Sequence, residues 1–104
     1  MSVFTNTKWQ IVGNGFHGTW NITEQGGDIY GDPVVGVIIS GNAVSFTRNG
    51  QGFQQMWSGS AVPIGGSGGG VNTFYSIMGF FTHFQNGQQT GPFTWSGLSE
   101  LVPG

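Results

Sequence analysis

The chain has 104 residues, a length that suits one domain with a single modest core, and its net charge is −2. Only 6% of the residues are charged, against roughly 25% in an average soluble domain. Lys8 and Arg48 are its only basic side chains apart from histidine, too few for the cationic surface that nucleic acid requires. Aromatic residues make up 14% and cysteine is absent, which argues for a packed core and against disorder, a disulfide framework or thiolate chemistry.

The start, "MSVFTNTKWQ", has neither the basic nor the apolar region of a signal peptide, and Val34–Ile39 is an apolar run of strand length only. The expectation is a protein without membrane insertion, cytoplasmic or released by a non-classical route. Asn21-Ile22-Thr23 matches a glycosylation sequon, which without an export signal reads as coincidence.

No ten-residue stretch shows helical spacing, and 21 glycines would each weaken a helix by about 1 kcal/mol. Short alternating runs recur instead. Lys8–Val12 is a first strand, and Gly13-Asn14-Gly15 turns into Phe16–Thr23. There Phe16, Gly18, Trp20 and Ile22 share the inward face, and His17, Thr19, Asn21 and Thr23 the outward one. Glu24–Gly27 turns into Asp28–Tyr30, Gly31-Asp32-Pro33 leads into Val34–Ile39, and Ser40-Gly41-Asn42 signals a hairpin before Ala43–Arg48. Asn49–Gly52 turns into Phe53–Val62; Phe74–Phe84 follows as the longest strand, then a turn over Asn86–Gly91 and a strand over Pro92–Gly97. The tail "LSELVPG" is a last short strand or a cover over one barrel end. Seven or eight strands at this spacing predict an all-β domain, a small antiparallel up-and-down barrel.

Pro63–Gly70, "PIGGSGGG", suits neither a strand nor a tight turn, and reads as a plain connection or as a lid that orders over a ligand. Two patterns echo: Phe46-Thr47-Arg48, Phe81-Thr82-His83 and Phe93-Thr94-Trp95, and Trp57-Ser58-Gly59 with Trp95-Ser96-Gly97. They share no fixed period, so they suggest one strand recipe reused, an inward aromatic followed by an outward Thr or Ser.

Catalysis finds little support. Asp28 and Asp32 sit beside turns, where Asp commonly bonds the backbone, and His17 and His83 are expected on polar strand faces. No nucleophile elbow, phosphate loop or metal spacing occurs, and no cofactor is implied. The tryptophans carry more. Trp20, Trp57 and Trp95 lie mid-strand with a glycine two residues away, leaving space for the indole or a ligand. Met56 and Met78 read as core filler.

Gly18-Thr19-Trp20 resembles the G-x-W that opens the first barrel strand of lipocalins and avidins, and Trp57-Ser58-Gly59 is similar to a later avidin strand. With Ile29–Gly31 and Phe46–Arg48 between them, the loosely avidin-like order covers about half the chain, which is shorter than either family by several strands' worth of residues. The resemblance implies a calycin-like barrel. It also implies that Trp20 closes one end beneath a basic side chain, a place Arg48 fills by its inward parity as a cation–π partner. In avidins the segment after G-x-W gives Asn and Ser to biotin's ureido group; Asn21 stands where that Asn would be, and Gly26 and Gly27 where the Ser would be.

The expected function is non-enzymatic binding, foremost of carbohydrate. Trp57 and Trp95 would act as stacking platforms, with Gln55, Asn72, Gln85, Asn86 and Gln88 as hydroxyl partners. One alternative is an avidin- or lipocalin-like carrier of a small, partly apolar ligand inside the barrel; another is a structural self-assembling module. With so little charge to oppose contact between copies, a homo-oligomer is expected in each case.

Overall fold

The alternating runs form strands in a computed structural model, which describes residues 7–23, 26–63 and 75–99. Eight strands follow in order: β1 (Thr7–Gly13), β2 (Phe16–Thr23), β3 (Gly26–Ile29), β4 (Asp32–Ser40), β5 (Ala43–Gly50), β6 (Phe53–Pro63), β7 (Tyr75–Gln85) and β8 (Gln88–Ser99). Each pairs antiparallel with the next, and β8 returns to β1 through Trp9↔Ser99 and Gly13↔Trp95. The result is a closed up-and-down barrel in which each described strand pairs with a neighbour on both sides.

Local chemistry explains the turns. Asn14-Gly15, Tyr30-Gly31 and Asn86-Gly87 have positive φ at both residues, the pattern of the type I′ hairpin that matches strand twist. With the β5–β6 turn at Gln51-Gly52, these connections all fall at one end of the barrel, because successive strands alternate in direction.

Several expected boundaries move: β3 begins at Gly26, a residue expected in a turn, and two further shifts bear on the site. Tyr30 is expected to end the strand Asp28–Tyr30, yet it takes φ 52 and makes the turn itself, so β4 begins at Asp32. Asn86–Gly91 is not one long turn: Asn86-Gly87 closes the hairpin and β8 starts at Gln88. The extra length is absorbed by a register shift, since Phe81 pairs with Phe93 but His83 with Thr90. Residues 64–74, which hold most of the glycine-rich stretch and Asn72, lie outside the described residues, as do Glu24 and the C-terminal residues 100–104.

The inward faces pack into one core of Trp9, Ile11, Trp20, Ile29, Val34, Val44, Phe46, Trp57, Ala61, Ile77, Phe81 and Trp95. All four tryptophans are at most 2% exposed. Pairing orders β5 to β8 into horizontal rows. Phe46, Trp57, Phe81 and Phe93 lie side by side in one row; Val44, Gly59, Gly79 and Trp95 form the next, away from the hairpin end. The recurring Phe-Thr pattern has its origin here, because Phe46, Phe81 and Phe93 occupy the same level of the barrel. In the second row the Trp95 indole lies across its neighbours: a Cβ at Gly59 would come within 2.7 Å of its ring. Trp95 donates from Nε1 to the Ser58 carbonyl at 2.9 Å.

Met56 and Met78 are not core filler. They point outward and are 57% and 69% exposed, because the inward positions of β6 and β7 belong to Gln55, Trp57, Ala61, Ile77 and Phe81.

Candidate functional site

One level above the aromatic row, toward the hairpins, pairing sets a polar row: Arg48, Gln55, His83 and Thr90 lie side by side on β5 to β8. These side chains, with Gly13, Asn14, Phe16, Tyr30, Trp57, Phe81 and Phe93, line a cavity of about 370 Å³ at the hairpin end. Trp57 and Phe81 of its floor belong to a parallel stack completed by Phe46, which does not line the cavity. Trp57 lies 4.3 Å from Phe81 at 9° and 5.9 Å from Phe46 at 14°, centroid to centroid. Its rim includes Phe16, 72% exposed on the β1–β2 hairpin.

Arg48 anchors the polar row. Its Nε and Nη2 both donate to Oδ2 of Asp32, at 2.9 and 2.6 Å, and its Nη1 donates to Gln55 Oε1 at 3.1 Å. The guanidinium sits over the rings of Tyr30, 4.8 Å from its centroid, and Phe53, at 5.1 Å. Trp57 Nε1 also donates to Gln55 Oε1, at 3.0 Å. Both groups are donors only, so the amide orientation of Gln55 is forced: the atom facing them is oxygen. Its Nε2 therefore faces His83 Nδ1, at 3.0 Å, and donates to it. That leaves the His83 proton on Nε2, which donates to Gln85 Oε1 at 3.1 Å. One chain of bonds thus runs from Asp32 through Arg48, Gln55 and His83 to Gln85.

Tyr30 holds the other wall. Its hydroxyl accepts from the Gly13 amide at 3.0 Å and donates to the Phe16 carbonyl, clamping both sides of the β1–β2 hairpin. Burial raises the phenol's pKa above its ordinary value, against the opposing effects of the Gly13 amide and the Arg48 charge.

The sequence-predicted site residues separate into groups. Gln55 and Trp57 meet in the cavity, and Gln85 reaches it only through His83. Asn86 and Gln88 are exposed at the β7–β8 hairpin. Trp95 is 2% exposed and packs edge-on against Trp20 and Trp57. Neither indole offers a stacking platform, since Trp57 is covered on both faces by Phe46 and Phe81 and Trp95 is enclosed. Asn21 is on the outer face, where its Nδ2 donates to Asp28 Oδ1 at 3.3 Å, and it does not line the cavity. Trp20 is fully buried among Trp9, Phe46 and Trp95, whereas Arg48 lies over Tyr30 and Phe53. The expected Trp20–Arg48 stack is therefore replaced, because Arg48 sits one level nearer the hairpins than Phe46, the residue that touches Trp20.

Sequence reasoning missed Tyr30, Phe53, His83, Thr90 and Phe93. His83 is half-buried in the cavity wall and stacks on Phe53 at 5.1 Å, instead of standing on an outer polar face. The signal was available: His83 shares the parity of Phe81, but Phe80 and Phe84 on the other parity hide it. Asp32 spans 16 positions to Arg48, a partner that only strand pairing reveals.

The chain matches no family model, and no curated protein or solved structure matches it.

Proposed function

We propose that the protein is a non-enzymatic carrier of a small, partly apolar molecule held in the hairpin-end cavity. The observation that carries this reading is one cavity of about 370 Å³ joining an aromatic floor to a row of polar side chains. Small-molecule sites combine those two features at volumes of roughly 300–1,000 Å³. An eight-stranded barrel is just wide enough to hold one small ligand when its side chains do not fill it. The interior here is filled below the Phe46–Trp57–Phe81 level and open above it.

A carbohydrate module would need an open indole face, and the covered faces of Trp57 and the enclosure of Trp95 speak against that reading. Substituting Thr90→Trp places an indole at the exposed rim and tests the carrier reading. A set of soluble aromatic fragments should perturb the Trp57 Nε1–H resonance of the wild type and leave it unmoved in the variant. Equal perturbation in both would place binding elsewhere.

We also infer that copies of the chain associate through the outer face of β5 to β8. From Ala43 to Ser99 the described residues include one charged side chain, Arg48, and it faces inward. Met78 and Phe80 stand 69% and 56% exposed on that face, and Ile38 of β4 stands 66% exposed across β5 and β6 from them. With Ser58, Ser60, Gly59 and Gly79 they border a groove of about 470 Å³. Knobs and groove on one uncharged patch suit the self-complementarity of a two-fold interface.

A further inference from the structure

If the hairpin-end cavity carries a small molecule, as proposed above, the hydrogen-bond inventory of the polar row sets the chemistry of that occupant. Gln55 Oε1 already accepts two bonds, from Trp57 and Arg48, and His83 Nδ1 accepts from Gln55. His83 spends its one N–H on Gln85, Trp57 spends its own on Gln55, and the Tyr30 proton goes to Phe16. The inner wall therefore has its nitrogen and amide-oxygen acceptors committed. The donors are not exhausted. Arg48 has five N–H groups, of which three are engaged, and Gln55 keeps one of its two amide protons. Three N–H donors remain, on adjacent strands, above an apolar floor.

Charge narrows the class further. Arg48 is already paired with Asp32 through two bonds to one carboxylate oxygen. The only other basic side chain apart from histidine, Lys8, is exposed on β1 and does not line the cavity. An anionic ligand would add a second negative charge to a cation that is already matched. A cationic ligand would bring donors to an inner row whose nitrogen and amide-oxygen acceptors are already committed. A sugar would bring several hydroxyl protons to an inner row whose nitrogen and amide-oxygen acceptors are taken, with only the Thr90 hydroxyl and the Asn14 amide oxygen at the exposed rim to receive them, and burying unmatched donors is costly.

We propose that the cavity selects a small uncharged molecule with a flat apolar ring and a carbonyl-type acceptor, the acceptor directed at Arg48 and Gln55 and the ring packed against the cavity-facing edge of Phe81 and against Phe93. Phe93 is half-buried beside Phe81, at 5.3 Å between centroids and 37° between planes, and both rings line the cavity.

Four one-ring probes of similar size separate the possibilities: acetophenone (neutral, acceptor only), benzoate, benzamidinium and isopropylbenzene. Each is titrated into the 104-residue chain while the Trp57 indole and His83 ring ¹⁵N signals are followed. Acetophenone should bind about tenfold or more tightly than each of the other three, a difference near 1.4 kcal/mol. The double variant Arg48→Met/Asp32→Asn removes both partners of the ion pair together. With Gln55 as the one remaining donor of the row, it should lose most of the acetophenone preference over isopropylbenzene while still binding both.

Benzoate or benzamidinium binding as tightly as acetophenone would overturn the ligand class and leave the carrier reading standing. Retention of the acetophenone preference in the double variant would overturn the role given to Arg48. If no probe moves the cavity signals up to its solubility limit, the carrier reading falls and this inference with it.

Discussion

The ring of Tyr30 occupies the space that a side chain at Gly18 would fill: a Cβ at that glycine would overlap ring carbons Cδ1 and Cε1. The glycine two residues before Trp20 therefore makes room for a tyrosine on a neighbouring hairpin, and neither the indole nor a ligand uses that space. The ring in that position carries its hydroxyl to the Gly13 amide and Phe16 carbonyl, and so shapes the cavity wall. Gly18→Ala must displace the ring and break both bonds. We expect a loss of about 2–4 kcal/mol, on the scale of overpacking plus orphaned backbone groups. Chemical denaturation measures it, and a loss below about 0.5 kcal/mol, the range of ordinary surface substitutions, would contradict the clamp.

Tyr30 also gives stability an alkaline limit. Because burial raises its pKa above the unfolded value, the folded protein holds the phenolic proton more tightly than the unfolded chain does. The contribution is complete below the unfolded pKa of 10.0 and is lost as pH rises through the folded value. In Tyr30→Phe that loss should disappear from the pH profile of the melting temperature. Neutral-pH stability should fall by about 1–3 kcal/mol as Gly13 N–H and Phe16 C=O lose their partner. A variant as stable as the wild type at neutral pH would contradict this role.

The forced orientation of Gln55 makes a sharper test possible. Gln55→Glu keeps an acceptor for Trp57 and Arg48 but offers His83 an oxygen in place of an N–H. His83 must then donate from Nδ1, so its ring ¹⁵N shifts should report a protonated Nδ1 where the wild type has a bare one. Unchanged shifts would break the chain of bonds inferred from Trp57 outward.

Much of the fold was legible because its signals are local. Short alternating runs marked most of the strands, with β3 read only in its second half, and Asn-Gly pairs marked two of the hairpins at the cavity end. The inward parity of Arg48 was legible too. The rows were not, since which residues share a level depends on register: Arg48, Gln55, His83 and Thr90 are neighbours only once β5 to β8 pair. Tyr30 escaped because an aromatic residue at φ 52 defeats the expectation that turns use Gly, Asn or Asp. Met56 and Met78 were misplaced for a related reason: β6 and β7 carry apolar residues on both faces, and alternation alone cannot say which face turns inward.

The uncharged outer face predicts self-association. Sedimentation at micromolar concentration should give a dimer or larger species for the wild type. The double variant Met78→Ser/Phe80→Ser should sediment as the 11.0 kDa chain, with its melting temperature little changed because both side chains are exposed. A monomeric wild type would contradict the interface.

Binding in the hairpin-end cavity is tested most directly by intermolecular NOEs in the complex with acetophenone. Contacts are expected from the ligand ring to Phe81, Phe93 and the Thr90 methyl, and none to Met78 or Phe80. Contacts confined to Met78, Phe80 and Ile38 on the outer face would contradict a site inside the barrel.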